Sequence, residues 1–142
     1  MLNKNEMLTY IAQNAEMGCC GIANIKNYAK DDELKKALRV QLIEYGRIYS
    51  NANSMLRNNN ENVQRVNPMV RRLTKQVTKR HMDRDNSDSH IAQMMINGNI
   101  KGVSKIVNRM RQYDKSDPKV ENLAKRLLET EYNNIQSMTP FI

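Results

Sequence analysis

Leu8, Ile11, Ala15, Gly18, Ile22, Ile25 and Ala29 follow one another at alternating steps of three and four residues. That spacing keeps side chains on one face of an α-helix and is incompatible with the two-residue period of a strand. The same rhythm returns at Leu34, Leu38, Gln41, Tyr45, Ile48, Ala52 and Met55. It runs again through Ile91, Met95, Gly98 or Asn99, Gly102 or Val103, Ile106, Met110 and Tyr113, and through Val120, Ala124, Leu127, Glu131, Asn134 and Met138. Four long amphipathic helices, each with one stripe to bury, leave helix-on-helix packing as the solution. With 10 Met, no Trp and one Phe, the core is assembled from aliphatic residues, with methionine as adaptable filler. Three prolines and five glycines supply too few turns for a many-stranded sheet.

Punctuation sets the boundaries. Asn3 with Glu6 three residues on forms a capping-box variant, so the first helix is expected at about 3–30. Asp31 caps a second at about 32–58, and the short joint makes the pair an antiparallel hairpin. Asn58, Asn59 and Asn60 break the pattern. Asn67 before Pro68 announces a new start, and Asp117 before Pro118 announces the last. An unbroken helix from 68 to 113 would span about 70 Å at about 1.5 Å per residue, against about 40 Å for the first two. The run Asp85-Asn86-Ser87-Asp88-Ser89 prefers caps and interrupts it. The chain therefore divides into a short helix at about 68–83, a third long helix at about 88–113 and a fourth at about 117–138. Its 142 residues form one domain. The apolar residues Met69, Val70, Leu73, Val77 and Met82 are expected to tie the short helix to the others.

Several chemistries find no support. Cys19 and Cys20 are adjacent, point about 100° apart on a helix and lie far from any helix N-terminus, so free, unactivated thiols are expected. Gly98 and Gly102 lack the strand before and the Lys-Ser/Thr after that a phosphate-cradling loop needs. Both sit on one mid-helix face, where glycine costs up to about 1 kcal/mol relative to alanine. Either a neighbouring helix approaches closely there or something must fit. The two histidines, His81 and His90, lie away from the middle level, and Asp85, Asp88 and His90 are read as capping residues. No apolar run of membrane-spanning length and no leader pattern is present, and a cytoplasmic protein is expected.

Carboxylates at mid-helix call for explanation, because a buried charge is costly unless paired or metal-bound. Glu131 lies on a seam, and Glu16 and Glu44 flank theirs near the middle of their helices, where one reading has them at the edge of the core, paired with Lys or Arg. Two hairpins of long helices joined by an extended crossover, with glutamates at mid-bundle, resemble the ferritin-like superfamily of di-iron and di-manganese carboxylate proteins. That arrangement takes one Glu from each of two helices and a Glu-x-x-His pair from the other two. Glu16 stands at the first-helix ligand position. Glu44-Tyr45-Gly46-Arg47 and Glu131-Tyr132-Asn133-Asn134 keep the glutamate and the spacing, but Arg47 and Asn134 occupy the histidine places. The third helix supplies no mid-helix carboxylate. What the resemblance implies is an antiparallel four-helix bundle with a helical crossover and a degenerate metal site. Glu16, Glu44 and Glu131 would be its ligands, lined by Gly18, Arg47, Gly98, Asn99, Gly102 and Asn134. Iron, manganese or zinc is what such a site would take, although three oxygens without imidazole suit redox iron poorly.

The crossover is strongly basic. Arg65, Arg71, Arg72, Lys75, Lys79, Arg80 and Arg84 against Asp83 leave +6 over residues 65–84, most of the chain's net charge of +8. Such a flank can sit on phosphates, but no aromatic side chain is interleaved to stack bases, so a solvated or partner-facing surface is favoured over a nucleic-acid site. The functional expectation is a non-enzymatic binding or structural module, a homo-oligomer. The alternatives are a metal-binding protein acting as weak oxidase or metal store, and a nucleic-acid binder working through residues 65–84.

Overall fold

The computed structural model describes residues 1–63 and 65–142. It is all-helical: α1 (Lys4–Ile25), α2 (Asp32–Asn58), α3 (Pro68–Arg84), α4 (Asp88–Gln112) and α5 (Pro118–Met138). Short 3-10 turns follow α1 and α5. Among the described residues the sole β-type pairing is an isolated parallel bridge between Leu2 and Tyr113. Antiparallel hairpins α1/α2 and α4/α5 pack on each other, mainly through α2 against α5, and α3 lies outside them against α1.

Local chemistry accounts for the ends. Asn3 Oδ1 accepts from Glu6 N at 2.9 Å while Glu6 reaches back to Asn3 N, completing the capping box. Asp31 accepts from Glu33 N and Leu34 N at 2.8 and 3.1 Å. Asn67 and Asp117 cap helices that open with Pro68 and Pro118. Asn60 stops α2 at φ 60°, a left-handed position that asparagine tolerates better than most residues.

The first helix ends sooner than expected. α1 stops at Ile25, and Lys26–Tyr28 tighten into a 3-10 turn. Beyond that turn the Asp88 carboxylate, in the first turn of α4, accepts from Lys30 N and Asp31 N at 2.9 Å each. That staple holds residues 30 and 31 out of any helix.

Core stripes match the spacing closely. Leu8, Ile11, Ala15, Ile22, Leu34, Leu38, Ile48, Ala52, Ile91, Ile106, Val120, Ala124, Leu127 and Met138 are fully excluded from solvent. At about 1.5–3 kcal/mol for a large aliphatic side chain taken from water, these stripes dominate the stability of the assembly.

The short helix departs from expectation. Met82 is buried, but Met69, Val70, Leu73 and Val77 remain 75, 47, 61 and 43% exposed and do not tie α3 to the hairpins. The helix is instead oriented by polar contacts. Glu16 Oε2 accepts from Val66 N at 2.9 Å, just ahead of α3, and Glu16 Oε1 lies 3.9 Å from Arg71. This turns Arg71, Thr78 and Met82 inward, leaving Met69, Leu73 and Val77, spaced four residues apart, as an outward apolar stripe.

A candidate ligand pocket between the helices

Two glycines shape the centre. A Cβ on Gly18 of α1 would come within 2.8 Å of the Tyr45 ring, and one on Gly102 of α4 within 2.7 Å of the Glu131 carboxylate. Close packing is thus the reason for both, and it brings Tyr45 of α2 and Glu131 of α5 together. The Tyr45 hydroxyl lies 2.9 Å from Glu131 Oε2 and 3.0 Å from Asn99 Oδ1. All three residues are at least 97% buried.

This triad has one hydroxyl proton facing two acceptors. A neutral Glu131 resolves it: the carboxyl O–H donates to Tyr45, and Tyr45 donates to Asn99. Burial pushes the Glu131 acid up to about 7, against the opposing pull of the Tyr45 hydrogen bond, and no cation is within ion-pairing distance of it among the described residues. Burial first, and the Glu131 charge second, raise Tyr45 well above the ordinary phenol range. When Glu131 ionises, Tyr45 turns its proton to the carboxylate, and Asn99, its amide rotated half a turn, donates to the hydroxyl oxygen. In the neutral arrangement Asn99 Nδ2 is buried without a partner.

The triad forms the floor of an open cavity of about 650 Å³ between α1, α3 and α4. Its walls are largely apolar, with Met17, Ile25, Val70, Met94 and Met95, and Lys101 and Lys105 stand at its edge. Gly21 and Gly98 also line it, and no atom lies within 4 Å of a Cβ built on either. These two glycines differ from Gly18 and Gly102: nothing packs against them, Gly21 being half-buried and Gly98 exposed at the cavity's rim.

The three glutamates expected to share a metal do not meet. Glu16 is engaged by Val66 N and Arg71, at the crossover. Glu44 accepts from Arg126 Nε at 2.8 Å, with the mostly exposed Arg47 4.0 Å away, on a different face of the protein. Only Glu131 reaches the cavity. Glu16 and Glu44 have each found their own donors and Glu131 is paired with Tyr45, and among the described residues no three His, Cys, Asp or Glu side chains are grouped as a metal would require. The residues present therefore do not fit a di-metal centre. Of the others expected to line such a site, Gly18, Gly98, Asn99 and Gly102 do line the cavity, Asn134 is buried outside its wall, and Arg47 is remote.

Spacing alone passed over Tyr10, Met17, Gly21 and Met94 as cavity residues, and read Tyr45 as an ordinary stripe residue. The usable signal was the paired glycines of α1 and α4, small residues on two helices at one level. The thiols match expectation: both are free, and burial pushes Cys19 up to about 11, away from thiolate chemistry at neutral pH. Among the described residues no helix is long and apolar enough to cross a membrane.

Neither a protein-family model nor a curated protein sequence matches this chain. Its fold is similar to that of a solved structure, the crystal structure of a DUF305 fragment from Deinococcus radiodurans, with a TM-score of 0.72 over 96% of this chain and 93% of that one. Sequence identity is 12%, so the likeness is one of fold.

Proposed function

We propose that this chain is a non-enzymatic binding module on a ferritin-like four-helix scaffold, and that its ligand is a small, largely apolar organic molecule held between α1, α3 and α4. The observation that carries this reading is the cavity itself, an apolar space with the buried Glu131, Tyr45 and Asn99 at its floor and the unpacked Gly21 and Gly98 in its lining. Helix interiors favour alanine over glycine by about 1 kcal/mol, and no packing contact compensates at either position. A cavity of this volume falls in the range of small-molecule sites, about 300–1,000 Å³. It has their usual make-up too, an apolar wall with a few convergent polar groups. Glu131, Tyr45 and Asn99 would orient a hydrogen-bonding group on the ligand, and Lys101 and Lys105 favour an anionic substituent at the mouth. The mid-helix glutamates, each with its own partner, fit a scaffold that no longer assembles a di-metal centre.

Titration with anilinonaphthalene sulfonate, an apolar anionic dye, tests the site. Fluorescence enhancement is expected with the unaltered protein and is expected to disappear in Gly98→Leu, whose side chain would occupy the cavity while the melting temperature holds or rises. L73S/V77S, stripped of exposed apolar side chains on α3, is the control for dye adhering elsewhere and should bind as the parent does. Equal enhancement in the parent and Gly98→Leu, or no enhancement in either, would overturn the reading.

A further inference from the structure

The outward face of α3 combines two features that require a partner with both properties. Met69, Leu73 and Val77 form an exposed apolar stripe at four-residue spacing. Arg72, Lys79, Arg80 and Arg84 are exposed beside or in line with that stripe, opposed by Asp83 alone, whereas Lys75, four residues after Arg71, lies on the inward edge. Arg71 is the one basic side chain of the helix drawn to a carboxylate of the protein, Glu16.

A second copy of the chain is disfavoured as the partner, because stripe-to-stripe packing would bring two strongly cationic helices into contact across a small apolar area. Nucleic acid would satisfy the charges and leave Leu73 and Val77 uncovered, and α3 carries no Phe, Tyr or Trp to stack on bases. The surface of an anionic bilayer satisfies both demands. Basic side chains meet lipid phosphates, and the apolar stripe enters the boundary between headgroups and acyl chains, the disposition of a helix lying in the interface plane.

We propose that α3 is a docking element for anionic lipid surfaces, lying flat on the bilayer with Met69, Leu73 and Val77 inserted and its lysines and arginines on the headgroups. The helix suits this role because its attachment to the hairpins uses a different edge, Thr78, Met82 and the Glu16 contacts. Docking therefore costs no internal packing.

Co-sedimentation of the full chain with vesicles tests the proposal. Vesicles of phosphatidylcholine with about one-third phosphatidylglycerol are compared with pure phosphatidylcholine, in low and high salt. The chain is expected to pellet with the anionic vesicles only, and less so as salt rises. Neutralising Arg72 and Arg80 to glutamine should weaken binding about fivefold per charge. L73S/V77S should weaken it at least tenfold with an unchanged circular dichroism spectrum and melting curve, since both side chains are exposed. Three results would overturn the proposal: no anionic-vesicle binding, binding that L73S/V77S leaves untouched, or salt-sensitive binding to duplex DNA at least as tight as to vesicles. So would a dimer in sedimentation equilibrium that L73S/V77S dissociates.

Discussion

Glycine serves two opposite purposes along the facing surfaces of α1 and α4, and substitution separates them. Gly18→Ala and Gly102→Ala would drive a methyl group against the Tyr45 ring or the Glu131 carboxylate at 2.7–2.8 Å, and each is expected to destabilise by about 1–3 kcal/mol, as overpacked core positions do. Gly21→Ala and Gly98→Ala meet open space and are expected to stabilise by up to about 1 kcal/mol. Urea midpoints for the four variants check the contrast. Glu131 has a second residue-scale consequence. Its folded acid, near 7, sits above the ordinary glutamate value of about 4.3. The native state therefore holds its proton more tightly than the unfolded chain. Its stabilising contribution is present below the unfolded value and is lost as pH rises through 7, by up to about 3 kcal/mol. Glu131→Gln mimics the neutral acid. Its stability is expected to be flatter between pH 5 and 8 and to exceed the parent's at pH 8, measured by denaturant midpoints across that range.

At the scale of the element, α3 is the least integrated helix. Burial is confined to Thr78 and Met82, so few apolar contacts oppose its local release. The Glu16 carboxylate is what aligns it, through Val66 N and Arg71. Glu16→Ala is expected to cost about 1–2 kcal/mol of local stability. The loss should appear as faster protease cleavage between α2 and α3, with the global melting temperature changed far less. A residue placed at a metal position by its mid-helix location thus has a mechanical role, holding the crossover in register. The same placement fixes which side of α3 meets the hairpins, and therefore which side stays apolar and exposed.

For the molecule as a whole, the hairpins are linked by buried stripes and by polar contacts at several levels: Tyr45 with Asn99 and Glu131, Glu44 with Arg126, and Asp88 with the backbone of Lys30 and Asp31. The cavity lies where α3 passes over α1 and α4, held there by Glu16 and by the buried Thr78 and Met82. Helix number, order, caps and the four buried stripes were legible in the sequence, because periodicity and capping act within a few residues along the chain. Asn3, Asp31, Asn67 and Asp117 bond to backbone two or three positions away, so their neighbours in sequence are their neighbours in space. The tether on Lys30 and Asp31 escaped that reading, because its acceptor, Asp88, lies 58 residues from Lys30. So did the outward stripe of Met69, Leu73 and Val77: an amphipathic pattern identifies an apolar face without identifying what covers it. The mid-helix glutamates show the same limit. Their level in the helices followed from counting residues, but their rotation about the helix axes and their partners depend on how four helices pack. Tertiary structure alone decided that Glu16 would hold a crossover, Glu44 an arginine, and Glu131 the floor of a cavity, because a buried carboxylate takes the nearest donor that the finished packing provides.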